Sequence, residues 1–114
     1  VGMDYFANAF RVIQGKVRRP EVFIFSDDID WCKANLKFDC RVNYVGQEFA
    51  GVKCACYLWL MSHCRHFIIP NSTFGWWAAW MNVGPDKTVV APKRWFTDED
   101  INTSDLIPRT WIRV

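Results

Sequence analysis

Two hydrophobic patterns alternate along the chain, one with the period of a helix and one with the short continuous runs of buried strands. The helical pattern predicts four helices, at residues 4–17, 28–36, 54–64 and 74–82. The short apolar runs predict four strands, at residues 22–25, 41–45, 66–69 and 88–91. The first of these runs is apolar throughout, which is typical of a strand covered on both faces. The last helix is apolar nearly all round, so we expect it to be buried on several sides.

The order of these elements predicts the fold class. Strands and helices alternate, which requires right-handed crossovers and a parallel sheet with helices on both faces. Residues 46–51 are predicted to be a loop, and the tail, residues 93–114, to be irregular with short turns. No linker, repeat or low-complexity segment divides the chain, so residues 1–114 are predicted to form one α/β domain.

Composition and charge exclude several classes of protein. Half of the chain is hydrophobic (51%), with seven Trp and nine Phe, which is enough apolar surface for a packed core and argues against disorder. The net charge is only +2, and the basic pairs Arg18–Arg19 and Lys93–Arg94 lie far apart in sequence, so we expect no nucleic-acid partner. No apolar stretch is long enough for a membrane span.

Five Cys residues occur at loose spacing, and their odd number argues against a disulfide scaffold. Free thiols indicate a reducing compartment, so we expect a cytoplasmic location, with peripheral membrane association as the alternative. One cluster resembles a zinc site, namely Cys54, Cys56, His63, Cys64 and His66. It lacks the usual Cys-x-x-Cys knuckles, which favours packing roles, and we expect no metal.

Polar segments follow two of the predicted strands, where an open parallel sheet gathers its ligands. Ser26, Asp27 and Asp28 follow the first strand. Adjacent carboxylates at such a place can bind ribose hydroxyls, bind metal or order a loop, or Asp28 can be only a helix cap. These readings remain open from the residues alone.

The second polar segment, Asn71–Ser72–Thr73, opens the Trp-rich helix. The unpaired N–H groups and the dipole of a helix start favour a phosphate or diphosphate. The alternative is that these residues are only N-caps. Trp76, Trp77 and Trp80 could form a sugar-stacking platform, but such a run is more often core packing.

Four blocks of the sequence, in order, resemble the alpha-1,2-fucosyltransferase family (glycosyltransferase family 11). They are residues 23–33 (FIFSDDIDWCK), 60–80 (LMSHCRHFIIPNSTFGWWAAW), 90–96 (VAPKRWF) and the ending at 105–112 (DLIPRTWI). The resemblance implies a two-domain enzyme of the GT-B type, of which this chain is much of the Rossmann-like C-terminal half. Val1, followed almost at once by a helical pattern, agrees with a chain cut from something longer.

The family moves L-fucose from GDP-fucose to the 2-hydroxyl of a galactoside acceptor, with inversion and generally without metal. By resemblance, Asp27 and Asp28 match an acidic pair needed for activity, and Ser72 and Thr73 match residues that contact the diphosphate. The full predicted donor-binding set is Ser26, Asp27, Asp28, Asn71, Ser72, Thr73, Phe74 and Gly75. The catalytic base is not assigned, although Asp27 and Asp28 are candidates.

Two departures from the family pattern bear on function. The basic motif His-x-Arg-Arg-x-Asp is absent and belongs in the N-terminal half, so the chain alone is expected to be inactive. An acid thought to contact guanine is replaced by Tyr57, so that either guanine is read otherwise or donor binding is weakened. The alternative function is a degenerate or non-catalytic domain for GDP-sugar binding or interaction.

Overall fold

The computed structural model describes residues 1–114, which form four α-helices and five β-strands. The helices are α1 (Met3–Lys16), α2 (Ile29–Asn35), α3 (Ala55–Ser62) and α4 (Thr73–Met81). The strands are β1 (Glu21–Phe25), β2 (Arg41–Val45), β3 (Phe67–Ile68), β4 (Val89–Ala91) and β5 (Ile112–Arg113). All predicted helices and strands are present near their predicted bounds, while two short 3-10 turns, Gln47–Phe49 and Val52–Cys54, lie between β2 and α3. None of the helices combines the length and the hydropathy that crossing a membrane requires.

The strands form two parallel sheets, so the prediction of a single sheet is wrong. β1 pairs with β2, and the second sheet has the order β3–β4–β5. The second sheet is short along its strand direction, because β3 has only two residues, and both of them pair with β4. The strand β5 was also missed, because two residues at the end of a polar tail are too short to carry a period.

The second sheet is covered by helices on both faces. All three residues of β4 are buried. Val90 packs with Ala9 and Ile13 of α1, whereas Val89 and Ala91 join the cluster that includes Ala78 and Ala79 of α4. This alternation of sides follows from the period of two along a strand, and it places α1 and α4 on opposite faces.

The first sheet is covered less completely than predicted. Ile24 of β1 is buried against Cys32 and Leu36, but Phe23 keeps 49% of its surface exposed. The expectation that β1 is covered on both faces is therefore wrong. The reason is that α2 packs on one side of this two-stranded sheet, while Phe23 points to the other.

Helix α4 is buried along one face rather than on several sides, which corrects the prediction. Its buried residues are small, namely Gly75, Ala78 and Ala79. The indoles of Trp77 and Trp80 remain about half exposed, at 51% and 52%. Small residues let the helix approach the sheet closely, so the large rings are left on the outer face.

The half-buried Trp76 joins this helix to the tail of the chain. Its indole stacks on that of Trp80, with the ring centroids 5.3 Å apart, and its Nε1–H donates to the Leu106 carbonyl at 2.8 Å. The ring also contacts Trp111 at a centroid separation of 5.9 Å. Trp76 therefore has a packing role here.

Candidate functional site

The segment after β1 is fixed by hydrogen bonds to the backbone and hydroxyl groups of Ser26. The Ser26 N–H donates to the Tyr57 hydroxyl at 2.8 Å, and the Ser26 carbonyl accepts from Gln47 Nε2 at 2.6 Å. The Ser26 hydroxyl in turn accepts from the Asp28 N–H at 3.0 Å. These bonds fix the chain at the point where the two carboxylates leave the strand.

The two adjacent aspartates have different environments. Asp28 caps α2, because its Oδ1 accepts from the Trp31 N–H at 3.0 Å. Asp27 is exposed, and its carboxylate has no hydrogen-bond or ion-pair partner. The structure thus gives Asp28 a structural task and shows no partner for the carboxylate of Asp27.

A shallow cavity of about 390 Å³ lies at this sheet edge. Its lining is mainly polar and acidic, and it includes four acidic residues and one cation, namely Asp27, Asp28, Asp30, Glu48 and Lys33. Such a lining suits hydroxyl groups, which donate to carboxylates, better than it suits phosphates. Sequence reasoning missed Tyr44, Gln47 and Glu48, since these come from a separate segment with no motif of its own, and it gave Lys33 no role although Lys33 ends the first family block.

The amino end of α4 presents free hydrogen-bond donors. Ser72 is the N-cap residue, but its side chain makes no capping bond. The hydroxyls of Ser72 and Thr73 make no other hydrogen bond, and the first N–H groups of the helix, Thr73 to Gly75, have no acceptor. Unpaired donors at the positive end of a helix dipole form a place where an anion can bind.

Gly75, which the sequence placed among the donor-binding residues, also has a packing task. A Cβ at this position would lie 3.2 Å from Ile69 Cβ and 3.3 Å from Ile69 Cγ2. Ile69 is fully buried and cannot move aside easily. The missing side chain therefore lets the start of α4 sit directly on the end of β3.

Asn71, unlike the two hydroxyl residues that follow it, has hydrogen-bond contacts of its own. Its amide Nδ2 donates to the Trp95 carbonyl at 3.3 Å, and it borders a second cavity of about 420 Å³. Lys93 and Arg94 line the same cavity. Arg94 pairs with Glu99 at 3.1 Å, whereas Lys93 has no carboxylate partner.

Tyr57 brings the two polar segments together. Its ring lies edge-on to Phe25 at 5.0 Å between centroids, and tilted against Phe74 at 6.0 Å. Phe25 ends β1, and Phe74 belongs to the first turn of α4. The acidic segment and the amino end of α4 are thus neighbours across one aromatic side chain.

The Cys and His residues singled out in the sequence have local contacts. His66 Nδ1 accepts from the Thr88 N–H at 3.1 Å, and burial, together with the nearby Arg65, lowers the pKa of this imidazole. His63 Nδ1 lies 2.7 Å from the Trp59 carbonyl. Cys54 and Cys56 are exposed, and all five thiols are free. No three His, Cys, Asp or Glu side chains converge to hold a metal ion.

The chain is similar to known glycosyltransferases over nearly its whole length. It is 36% identical over 98% of its residues to the O-antigen biosynthesis glycosyltransferase WbnK of Escherichia coli, covering 36% of that protein. It is 33% identical over 96% of its residues to an alpha-1,2-colitosyltransferase of Escherichia coli, covering 38% of it.

A third relative comes from a vertebrate. The chain is 31% identical over 70% of its residues to the galactoside 2-alpha-L-fucosyltransferase SEC1 of Bos taurus, covering 22% of it. The chain therefore spans between about a fifth and two fifths of the length of these relatives. No solved structure matches the chain significantly.

The family model named glycosyl transferase family 11 matches residues 2–114, which is almost the entire chain. Together with these relatives, that match shows that the chain belongs to glycosyl transferase family 11.

Proposed function

We propose that this chain is the nucleotide-sugar-binding part of a glycosyltransferase that moves L-fucose from GDP-fucose to the 2-hydroxyl of a galactoside, with inversion. Family membership and the name of the bovine relative support this reaction. The α/β fold with parallel sheets agrees with the Rossmann-like C-terminal half of a GT-B enzyme. The remainder of such an enzyme would supply the acceptor site.

The single observation that carries the proposal is the free amino end of α4. Glycosyl transfer leaves negative charge on the departing diphosphate, and catalysis requires donors aimed at that charge. The N–H groups of Thr73 to Gly75 and the hydroxyls of Ser72 and Thr73 are unpaired donors at such a place. We assign them to the diphosphate and assign the free carboxylate of Asp27 to a hydroxyl of the donor.

The basic motif expected in the N-terminal half would add cationic side chains around the leaving group. This chain alone is therefore proposed to bind the donor weakly and to lack transferase activity. The name of the colitosyltransferase relative makes a colitose donor the competing substrate, so both donors belong in the same assay.

The test is GDP binding to the complete enzyme that contains this domain, measured by isothermal titration calorimetry. The double substitution Ser72→Ala with Thr73→Val removes two hydroxyls and should weaken GDP binding by about 1–3 kcal/mol. Ser104→Ala with Thr110→Val removes two exposed hydroxyls in the tail and is the matched control.

GMP separates contacts to the β-phosphate from contacts to the rest of the nucleotide. The double variant should lose less affinity for GMP than for GDP. A folded double variant that binds GDP as tightly as the control would overturn the assignment. A complete wild-type enzyme that binds GDP but transfers neither sugar would favour the alternative, a non-catalytic domain that binds the nucleotide sugar.

A further inference from the structure

Tyr57 is a buried residue whose hydroxyl is used entirely by the backbone. Only 4% of its surface is exposed. The hydroxyl accepts from the Ser26 N–H at 2.8 Å and donates to the Val45 carbonyl at 2.5 Å, with the Ser26 carbonyl at 3.2 Å. A phenol can donate one hydrogen bond, and the nearer carbonyl, that of Val45, accepts it.

These bonds join the carboxyl ends of two strands. Ser26 directly follows β1, and Val45 is the last residue of β2, so the hydroxyl closes the ladder at the point where the backbone pairing ends. An ionised carboxylate at the same position could accept from the Ser26 N–H, but it could not donate to the Val45 carbonyl. The phenol is therefore not equivalent to the acid that the family resemblance leads us to expect at this position.

The ring of Tyr57 reaches the other predicted segment. It contacts Phe25 on one side and Phe74 on the other, at centroid distances of 5.0 and 6.0 Å. Phe74 lies next to Thr73 and carries one of the unpaired N–H groups of α4. The side chain of Tyr57 thus contacts both the acidic segment, through Ser26, and the start of α4, through Phe74.

We propose that Tyr57 is a positioning residue for donor binding, which acts through Ser26 and Phe74 without touching the substrate. This inference rests on the proposed function, because it takes the acidic segment and the amino end of α4 to bind one nucleotide sugar. The departure from the family acid then has a defined effect. In place of a carboxylate, the phenol of Tyr57 aligns the two halves of the donor site.

The experiment uses the complete enzyme and the substitution Tyr57→Phe, which removes the hydroxyl and keeps the ring. Ile13→Val, which removes one buried carbon of α1 away from this segment, is the stability control. Three quantities are measured: hydrogen exchange of the peptide that contains Ser26, the donor KM and the acceptor KM. We expect faster exchange confined to that peptide, a donor KM raised about 5- to 10-fold, and an unchanged acceptor KM.

The outcomes separate the two claims. Faster exchange at Ser26 with an unchanged donor KM would overturn the positioning role and leave the proposed function intact. A donor KM raised equally by Ile13→Val would also overturn the role, because general destabilisation would explain it. A wild-type enzyme that neither binds GDP nor uses a GDP-sugar would remove the proposed function, and this inference with it.

Discussion

The adjacent carboxylates Asp27 and Asp28 should separate into a stability effect and a binding effect. Both side chains are exposed, but Asp28 Oδ1 accepts from the Trp31 N–H at 3.0 Å and caps α2, whereas the carboxylate of Asp27 has no partner. Removing an N-cap acid costs about 1 kcal/mol of folding free energy. In a chain of 114 residues, this loss lowers the Tm by about 4 °C.

The assay is thermal unfolding of single variants, followed by circular dichroism at 222 nm. Asp28→Ala should lower the Tm by about 4 °C, while Asp28→Asn, which can still cap the helix, should lower it less. Asp27→Ala should leave the Tm within about 1 °C of the wild type, because surface changes away from such bonds cost little. In the complete enzyme, Asp27→Ala should instead raise the donor KM.

The reasoning is refuted if the two alanine variants lose the same stability, or if Asp27→Ala loses more. It is also refuted if Asp28→Asn is as unstable as Asp28→Ala. The cap would then not be the source of the effect, and the assignment of a free carboxylate to Asp27 would lose its support.

Two further predictions concern the packing of α4 and the response to pH. Gly75→Ala places a methyl group 3.2 Å from Ile69 Cβ. We expect the free energy of unfolding to fall by about 1 kcal/mol, despite the better helix propensity of Ala. An unchanged urea midpoint would contradict this close packing. The pKa of His66 is lowered in the folded chain, so the unfolded chain binds protons more readily as the pH falls below 6.5. The free energy of unfolding should therefore decrease from pH 7 to 5.5, and His66→Asn should reduce this decrease; equal pH dependence in both proteins would show that another group is responsible.

The sequence predicted the elements well because most of them carry a strong local pattern. The stripe that α1 buries, including Ala9 and Ile13, has helical spacing, and β4 is a short apolar run between a turn and a proline. Such signals depend on neighbours along the chain, so one sequence is enough to read them. The two sheets and β5 depend on which strands meet, and the local pattern carries no information about that.

The same distinction applies to the candidate site. The segments beginning at Ser26 and Asn71 were predicted to bind the donor, because polar residues follow apolar strands there and because both segments match the family blocks. The separate roles of Asp27 and Asp28 required coordinates, since either could cap α2. The task of Tyr57 could not be predicted, because its partners are backbone atoms 31 and 12 residues away.

The central claim is that the donor diphosphate binds at the amino end of α4, and a crystal structure of the complete enzyme with GDP tests it most directly. We expect phosphate oxygens at about 3 Å from the N–H groups of Thr73 to Gly75. A diphosphate bound instead beside Lys93, with these N–H groups facing only water, would contradict the account.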